Sequence, residues 1–167
     1  MSFEVFTNYL PPELFGYLKG KCQALPLKVT ARGDEHMVGT DLEDTLAKVK
    51  ASQSDFRYIY KRSESTAIPE DVKQLVNLDI VTCFVSCYLP GSFLSEHRDG
   101  CKGDKAFIFY LNDVPVEAGG SLIIDGVHRV QPRANMMVVM DTGMLHEVTE
   151  LKEGERWALA GWFNCTD

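Results

Sequence analysis

His97-Arg98-Asp99 sets an imidazole and a carboxylate two positions apart, and in an extended segment residues i and i+2 point to the same face. Together they can hold one metal ion. A third donor must come from elsewhere, and His146 stands directly after the turn-forming Asp141-Thr142-Gly143, at the start of a later strand-like segment. Two histidines and one carboxylate form a facial set that leaves positions open on ferrous iron for an oxidant and a second ligand. A His-x-Asp pattern alone arises often by chance, and His97 is then an ordinary hydrogen-bonded surface residue. The residues that follow weigh against that alternative.

Arg156 opens the run Arg156-Trp157-Ala158-Leu159-Ala160-Gly161-Trp162-Phe163. Strand alternation puts Arg156, Ala158, Ala160 and Trp162 on one face. A fork-shaped cation beside two alanines has space in front of it and suits a small dicarboxylate, because guanidinium binds a carboxylate through two parallel hydrogen bonds. Taken by itself Arg156 reads more readily as an exposed arginine on an edge strand; its position after His146 reverses that reading and favours the site.

The ordered set Tyr88-Leu89-Pro90-Gly91, His97-Arg98-Asp99, Tyr110-Leu111-Asn112, Gly119-Gly120-Ser121-Leu122, His146-Glu147-Val148, Gly154-Glu155-Arg156 and Gly161-Trp162-Phe163 resembles the prolyl-4-hydroxylase-like branch of the Fe(II)/2-oxoglutarate-dependent dioxygenase superfamily. The resemblance covers Cys87 to Phe163, about half the chain, and more loosely the opening Phe3 to Leu18. It implies that His97, Asp99 and His146 bind Fe(II), that Arg156 pairs with the distal carboxylate of 2-oxoglutarate, and that Tyr110 hydrogen-bonds the same carboxylate. Tyr88 matches a tyrosine facing the pocket, although either tyrosine could simply pack as a half-buried aromatic. The implied activity is hydroxylation, by default of a prolyl residue in a peptide or protein, with O₂ consumed, succinate and CO₂ released, and ascorbate keeping the iron ferrous. The family's halogenating relatives lack the carboxylate ligand, so Asp99 favours hydroxylation. The alternatives are a free amino acid or small metabolite as substrate, a nucleic-acid dealkylating oxygenase, or a non-catalytic jelly-roll binding protein.

These residues need a strand-rich scaffold. Short apolar segments recur at Ile80–Tyr88, Phe93–His97, Ala106–Leu111, Ser121–Ile124, His128–Val130, Met136–Met140, Leu145–Thr149 and Arg156–Phe163, separated by Pro90-Gly91, Asp99-Gly100, Gly119-Gly120, Asp125-Gly126 and Asp141-Thr142-Gly143. That spacing suggests a jelly roll. Upstream, helices are predicted from Pro11 to Lys21, from Asp41 to Lys50 and from Pro69 to Asn77, each opened by prolines or acidic side chains. Phe56 to Tyr60 favours a strand, and Lys61 to Ala67 reads as a polar, mobile connector. The fold class is therefore α+β, a double-stranded β-helix (jelly roll) core in the C-terminal half with supporting N-terminal helices. One domain is expected over 1–167, with 1–77 helical or irregular and substrate-facing, and 78–167 the core. Phe56 to Arg62 and Ser92 to Asp104 are where loops could select the substrate; Arg57, Arg98 and Lys102 are either contacts for an anionic group or solvated charge.

Composition fits this reading. Among 167 residues, 24 acidic and 17 basic side chains give a net charge of −7, which disfavours phosphate backbones and hence nucleic acid. No apolar run suits a membrane span or secretory signal, and a cytoplasmic location is expected. Cys83 and Cys87, four apart in a predicted strand, would lie roughly 13 Å apart, too far for a disulfide. Most of the five cysteines read as free thiols, and Cys22, Cys101 and Cys165 lack zinc-type spacing. His36 and His128 read as surface or loop residues. A kinase catalytic loop beginning at His97-Arg98-Asp99 is excluded, because no asparagine stands five residues after Asp99.

Overall fold

The alternation of short β-favouring runs with turn residues produces a strand at every predicted segment of the C-terminal half. The computed structural model describes residues 1–100 and 102–165; Cys101 lies outside them. The strands are β1 (Phe3–Phe6), β2 (Lys28–Arg32), β3 (His36–Gly39), β4 (Tyr58–Arg62), β5 (Asp79–Tyr88), β6 (Phe93–His97), β7 (Lys105–Tyr110), β8 (Leu122–Ile124), β9 (His128–Val130), β10 (Met136–Asp141), β11 (His146–Val148) and β12 (Arg156–Asn164). Three helices accompany them, α1 (Pro12–Gln23), α2 (Leu42–Ser52) and α3 (Glu70–Val76). No helix among the described residues is long and apolar enough to cross a membrane.

The strands form one antiparallel sheet in the order β1-β10-β7-β12-β5-β4-β6-β11-β8-β9, with the β2–β3 ribbon branching from β4. β4 is the corner. Its end pairs with β5 through Lys61 and Arg62, and its start pairs with β6 through Tyr58 and Ile59. The sheet curls there, because side chains of unpaired strands share one core: Tyr110, Val138 and Ala158 of one wall pack with Leu122, Ile124 and Val148 of the other. This curled sheet with three helices is an α+β jelly-roll architecture.

The outer face of the larger wall is covered by α1 and α3, with Leu18, Val72 and Val76 against Val85, Phe107, Phe109 and Leu159. Leu18, Phe109 and Leu159 are fully buried, each contributing about 1.5–3 kcal/mol of transfer free energy. α2 covers β2 and β4 through Leu42, Val29 and Ile59; it starts where the Asp41 side chain accepts the Asp44 N–H at 3.2 Å, a helix N-cap. Gly119 is required by its surroundings. Its φ is +76°, and a Cβ there would stand 2.2 Å from the Glu150 carbonyl oxygen.

The N-terminal half holds more strand than its expected helical and irregular character: β4 falls on the Phe56 to Tyr60 run expected as a strand, whereas β2 and β3 lie outside that expectation. The β2–β3 ribbon is hidden in the sequence because Val29, Thr30 and Ala31 are buried consecutively, so no polar alternation marks them. Lys61 to Ala67 is not one polar connector. Lys61 and Arg62 finish β4, and buried Ser63 accepts the Val85 N–H through its hydroxyl at 3.0 Å. Cys22, Cys83 and Cys87 are buried free thiols and Cys165 is an exposed one; burial pushes Cys22 and Cys87 up to about 12 and Cys83 up to about 11. His36 and His128 are exposed on β3 and β9.

Candidate metal centre and anion pocket

His97, the last residue of β6, is paired directly with His146, the first of β11. Asp99 lies just past the end of β6, so strand periodicity alone does not aim it. Its backbone N–H donates to the Thr142 carbonyl at 3.2 Å, and Arg98 Nε donates to the Gly143 carbonyl at 3.1 Å. The Asp141-Thr142-Gly143 turn thus brings Asp99 and His146 together. Ligand atoms of His97, Asp99 and His146 all lie within 4.8 Å of one another.

The donor chemistry fits a cation. His97 Nδ1 is 2.7 Å from the Ser95 carbonyl and His146 Nδ1 is 3.0 Å from the Met144 carbonyl. A carbonyl only accepts, so each Nδ1 carries the proton, and in neutral imidazole Nε2 presents a lone pair. Those two Nε2 atoms stand 3.4 Å and 3.5 Å from Asp99 Oδ1 and Oδ2. Donors roughly 2.1 Å from a common ion lie about 3 Å apart when adjacent, so small adjustments close the set. Three electron-pair donors facing one another require a positive charge between them, a proton or a metal.

The electrostatics carry the same demand. Burial pushes the Asp99 carboxyl up, but the hydrogen bond from His97, the charges of His146 and His97 and the nearby Trp162 N–H outweigh it and hold the carboxyl below its ordinary value. Burial pulls the His97 imidazole down, yet Asp99 and the Ser95 carbonyl raise it overall; His146, more deeply buried, is lowered by that burial. The buried Trp162 Nε1 makes no hydrogen bond of good geometry. It is a spare donor that Asp99 or an oxygen ligand of a bound ion could accept.

Arg156 begins β12 opposite Tyr88 on β5, and Tyr110 on β7 pairs with Ala158 two residues on. Only 2% exposed, Arg156 donates from Nε to the Gly120 carbonyl at 2.8 Å and from Nη2 to the Tyr110 hydroxyl at 3.3 Å. Its guanidinium carbon lies 4.8 Å and 5.0 Å from the Tyr88 and Tyr110 ring centroids. Burial raises both tyrosine hydroxyls despite the arginine, so they stay protonated donors. No carboxylate lies within ion-pair distance of Arg156 among the described residues. A buried guanidinium without a counter-ion is costly, and an incoming carboxylate would meet it.

One cavity of about 520 Å³ is lined by the metal-donor set and by Arg156, Tyr88 and Trp162, within the range of about 300–1,000 Å³ for small-molecule sites. Arg57, Arg98 and Lys102 also line it. Tyr60 and Arg62 fall in the Phe56 to Arg62 stretch expected to face the substrate, but sequence reasoning did not single them out, and they also line the cavity. Tyr60 stacks on Tyr88 at 4.9 Å and 6°, and Arg62 lies over Phe84 at 3.8 Å. The signal was the alternation Tyr58, Tyr60, Arg62, which places all three on one face once this stretch is a strand.

Residues 83–164 match the family model of the 2OG-Fe(II) oxygenase superfamily. A PKHD-type hydroxylase of Maricaulis maris is 33% identical over 86 residues, covering 47% of this chain and 39% of that protein; the chain thus spans about two fifths of that curated relative's length. Among solved structures, a Pseudomonas putida prolyl-4-hydroxylase aligns over 99% of this chain and 93% of its own, with 23% identity and a TM-score of 0.58. A 2OG-Fe(II) oxygenase family oxidoreductase from Burkholderia pseudomallei aligns over 95% and 83%, with 13% identity and a TM-score of 0.66. A viral collagen prolyl hydroxylase from Paramecium Bursaria Chlorella virus-1, solved as its 2OG complex, aligns over 97% and 95%, with 15% identity and a TM-score of 0.56. The solved structures share the fold, and over residues 83–164 the 2OG-Fe(II) oxygenase superfamily model matches the strands that carry the donor set and the buried arginine.

Proposed function

We propose that this protein is an Fe(II)- and 2-oxoglutarate-dependent dioxygenase that hydroxylates an organic substrate, with a prolyl residue in a peptide or protein as the first target. The observation that carries the reading is the presence, on one cavity, of a cation-seeking donor set and a buried arginine without a counter-ion. His97, Asp99 and His146 hold the metal. Arg156, with the Tyr110 hydroxyl beside it, takes the distal carboxylate of the cosubstrate, and Tyr88 closes one side of that clamp. When bound, ferrous iron with 2-oxoglutarate and O₂ supplies an oxidant strong enough for an unactivated C–H bond, with succinate and CO₂ as by-products. The chain's own part is to orient the target and exclude water, tasks for the aromatic wall of Tyr60, Tyr88 and Trp162.

The prolyl target draws support from the named activities of the Pseudomonas putida and chlorella-virus neighbours. A free amino acid or small metabolite is the second reading, favoured by the cations on the cavity rim, which suit a free carboxylate. A cytoplasmic setting agrees with three buried free thiols, and ascorbate as reductant is proposed from the resemblance alone.

Reconstituting metal-free protein with Fe(II) and 2-oxoglutarate, then admitting O₂, tests the proposal directly. Succinate is expected to form with Fe(II), to stop on chelation, and to be absent with Zn(II), which binds similar donors but has no redox chemistry. Peptides and free amino acids that gain one oxygen atom in mass under these conditions identify the substrate. Undiminished turnover by a zinc-loaded, iron-free preparation would sink the redox mechanism.

A further inference from the structure

The chain carries a net charge of −7, yet its cavity is lined by six cationic side chains, Arg32, Arg57, Arg62, Arg98, Lys102 and Arg156, against two carboxylates, Glu96 and Asp99. Such a reversal of sign inside a cleft focuses the field on an anion. None of the six lies within ion-pair distance of a carboxylate among the described residues. The cosubstrate does not account for the excess. A ferrous ion and a 2-oxoglutarate dianion cancel, and the cationic lining remains.

Arg32, Arg57 and Arg98 are exposed, and solvation alone explains exposed cations. Arg62 is different. It is half-buried at the end of β4, held in register with Ser86 of β5. Its guanidinium carbon lies 3.8 Å from the ring centroid of buried Phe84, and that ring leans on Trp162 at 6.1 Å. Strand alternation puts Arg62 on the same face as Tyr60, which stacks on Tyr88 beside Arg156. A guanidinium supported on an aromatic ring directs its N–H groups sideways, here with the Tyr60 hydroxyl within reach of one of them, and the remaining donors match a planar carboxylate.

We infer that Arg62 is a specificity-determining residue that receives a carboxylate carried by the substrate itself, either a free acid's or that of an acidic side chain beside the target residue. The inference rests on the oxygenase reading above, and it narrows the substrate class to anionic molecules.

The test uses the full chain loaded with Mn(II) in place of Fe(II), saturated with 2-oxoglutarate and kept anaerobic so that nothing turns over. Two probe pairs each differ by one negative charge: N-acetyl-L-proline against N-acetyl-L-prolinamide, and acetyl-Ala-Pro-Asp-amide against acetyl-Ala-Pro-Asn-amide. Quenching of tryptophan fluorescence reads binding, since Trp162 lines the cavity, with calorimetry as the check. In at least one pair the charged probe is expected to bind roughly tenfold or more tighter than its neutral partner, as hydrogen bonds to charged groups allow. The pair that shows the preference identifies the source of the carboxylate. Arg62→Met, which keeps the apolar stem on Phe84, should abolish the preference, Arg62→Lys should restore part of it, and both should bind 2-oxoglutarate like wild type. Equal binding within both pairs, a preference that survives Arg62→Met, or a loss of 2-oxoglutarate affinity in Arg62→Met each overturns the assignment. Failure of the wild-type Mn(II) protein to bind 2-oxoglutarate at all overturns the oxygenase reading as well, and is distinguishable from the other outcomes.

Discussion

His97 and His146 are opposed residues of the antiparallel pair β6 and β11, with ring centroids 4.2 Å apart. The ladder itself therefore aligns two of the three proposed metal donors, and backbone carbonyls fix the ring orientations. His97→Ala, Asp99→Ala or His146→Gln is expected to abolish turnover and to weaken Fe(II) binding at least tenfold, while the metal-free variants stay folded. Glutamine is chosen for His146 because that side chain is 6% exposed and a smaller residue would leave a void. Anaerobic metal titration beside urea denaturation separates the two effects. A variant with wild-type Fe(II) affinity would remove its residue from the site.

Metal affinity should fall as pH falls. Despite its burial, His97 is raised above the ordinary 6.5 by Asp99 and the Ser95 carbonyl, whereas buried His146 is lowered. In the metal-free protein the His97 proton is thus retained to higher pH, and stability from that charged form is present below 6.5 and lost as pH rises through the raised value. Metal must displace this proton. Mn(II) affinity measured from about pH 6 to 8 should rise with pH, and Asp99→Asn, which removes the raising partner, should shift the His97 titration downward. A pH-independent affinity over that interval contradicts the assignment.

Arg156→Ala removes one member of a buried charge pair once 2-oxoglutarate is bound. Such losses amount to about 2–5 kcal/mol, so cosubstrate affinity should drop roughly 30-fold to several thousand-fold, with Fe(II) binding retained. Tyr110→Phe deletes the hydroxyl that Arg156 Nη2 meets at 3.3 Å and should cost only about 0.5–1.5 kcal/mol. Arg156→Lys keeps the charge but loses the two-pronged geometry and should fall between wild type and alanine. Titration of 2-oxoglutarate into the Fe(II)-loaded, anaerobic variants reads all three; wild-type affinity in folded Arg156→Ala would refute the clamp.

Gly161 holds β12 against β5 where no side chain fits. A Cβ there would lie 2.3 Å from the Thr82 carbonyl oxygen and 2.8 Å from Cys83 Cα, both backbone atoms. Gly161→Ala should therefore destabilise the fold by about 1–3 kcal/mol, visible as a lower urea midpoint. Because Trp162 follows directly, cosubstrate turnover should fall too. An unchanged midpoint would show that the two strands can separate freely.

The C-terminal half was legible because its chemistry is local. Turn residues punctuate it, and His97, Asp99, His146 and Arg156 each stand beside a recognisable strand or turn. Strand alternation correctly aimed Arg156 and Trp162 to one face. What escaped was non-local. Asp99 is placed by the Thr142 carbonyl rather than by β6, and nothing in its own segment encodes that bond. Tyr60 and Arg62 reach the cavity only because β4 inserts between β5 and β6, a pairing across distant stretches of chain. β2 gave no period because Val29, Thr30 and Ala31 are buried in succession.

The proposed metal donors stand near β6 and β11, the proposed arginine clamp on β5, β7 and β12, and in the sheet's order β4 alone joins the two groups. Mechanically the site is a vice whose jaws are two walls and whose spine is a five-residue strand, Tyr58–Arg62. On the proposed reading, a cosubstrate gripped at both ends would be a tie rod across the gap and would fix the jaw separation while bound. Reactivity depends steeply on such spacing, since a misplacement of about 1 Å can cost roughly a hundredfold in rate. Substitutions that loosen the spine, or unseat α2 behind it, should therefore detune the reaction without touching a single ligand.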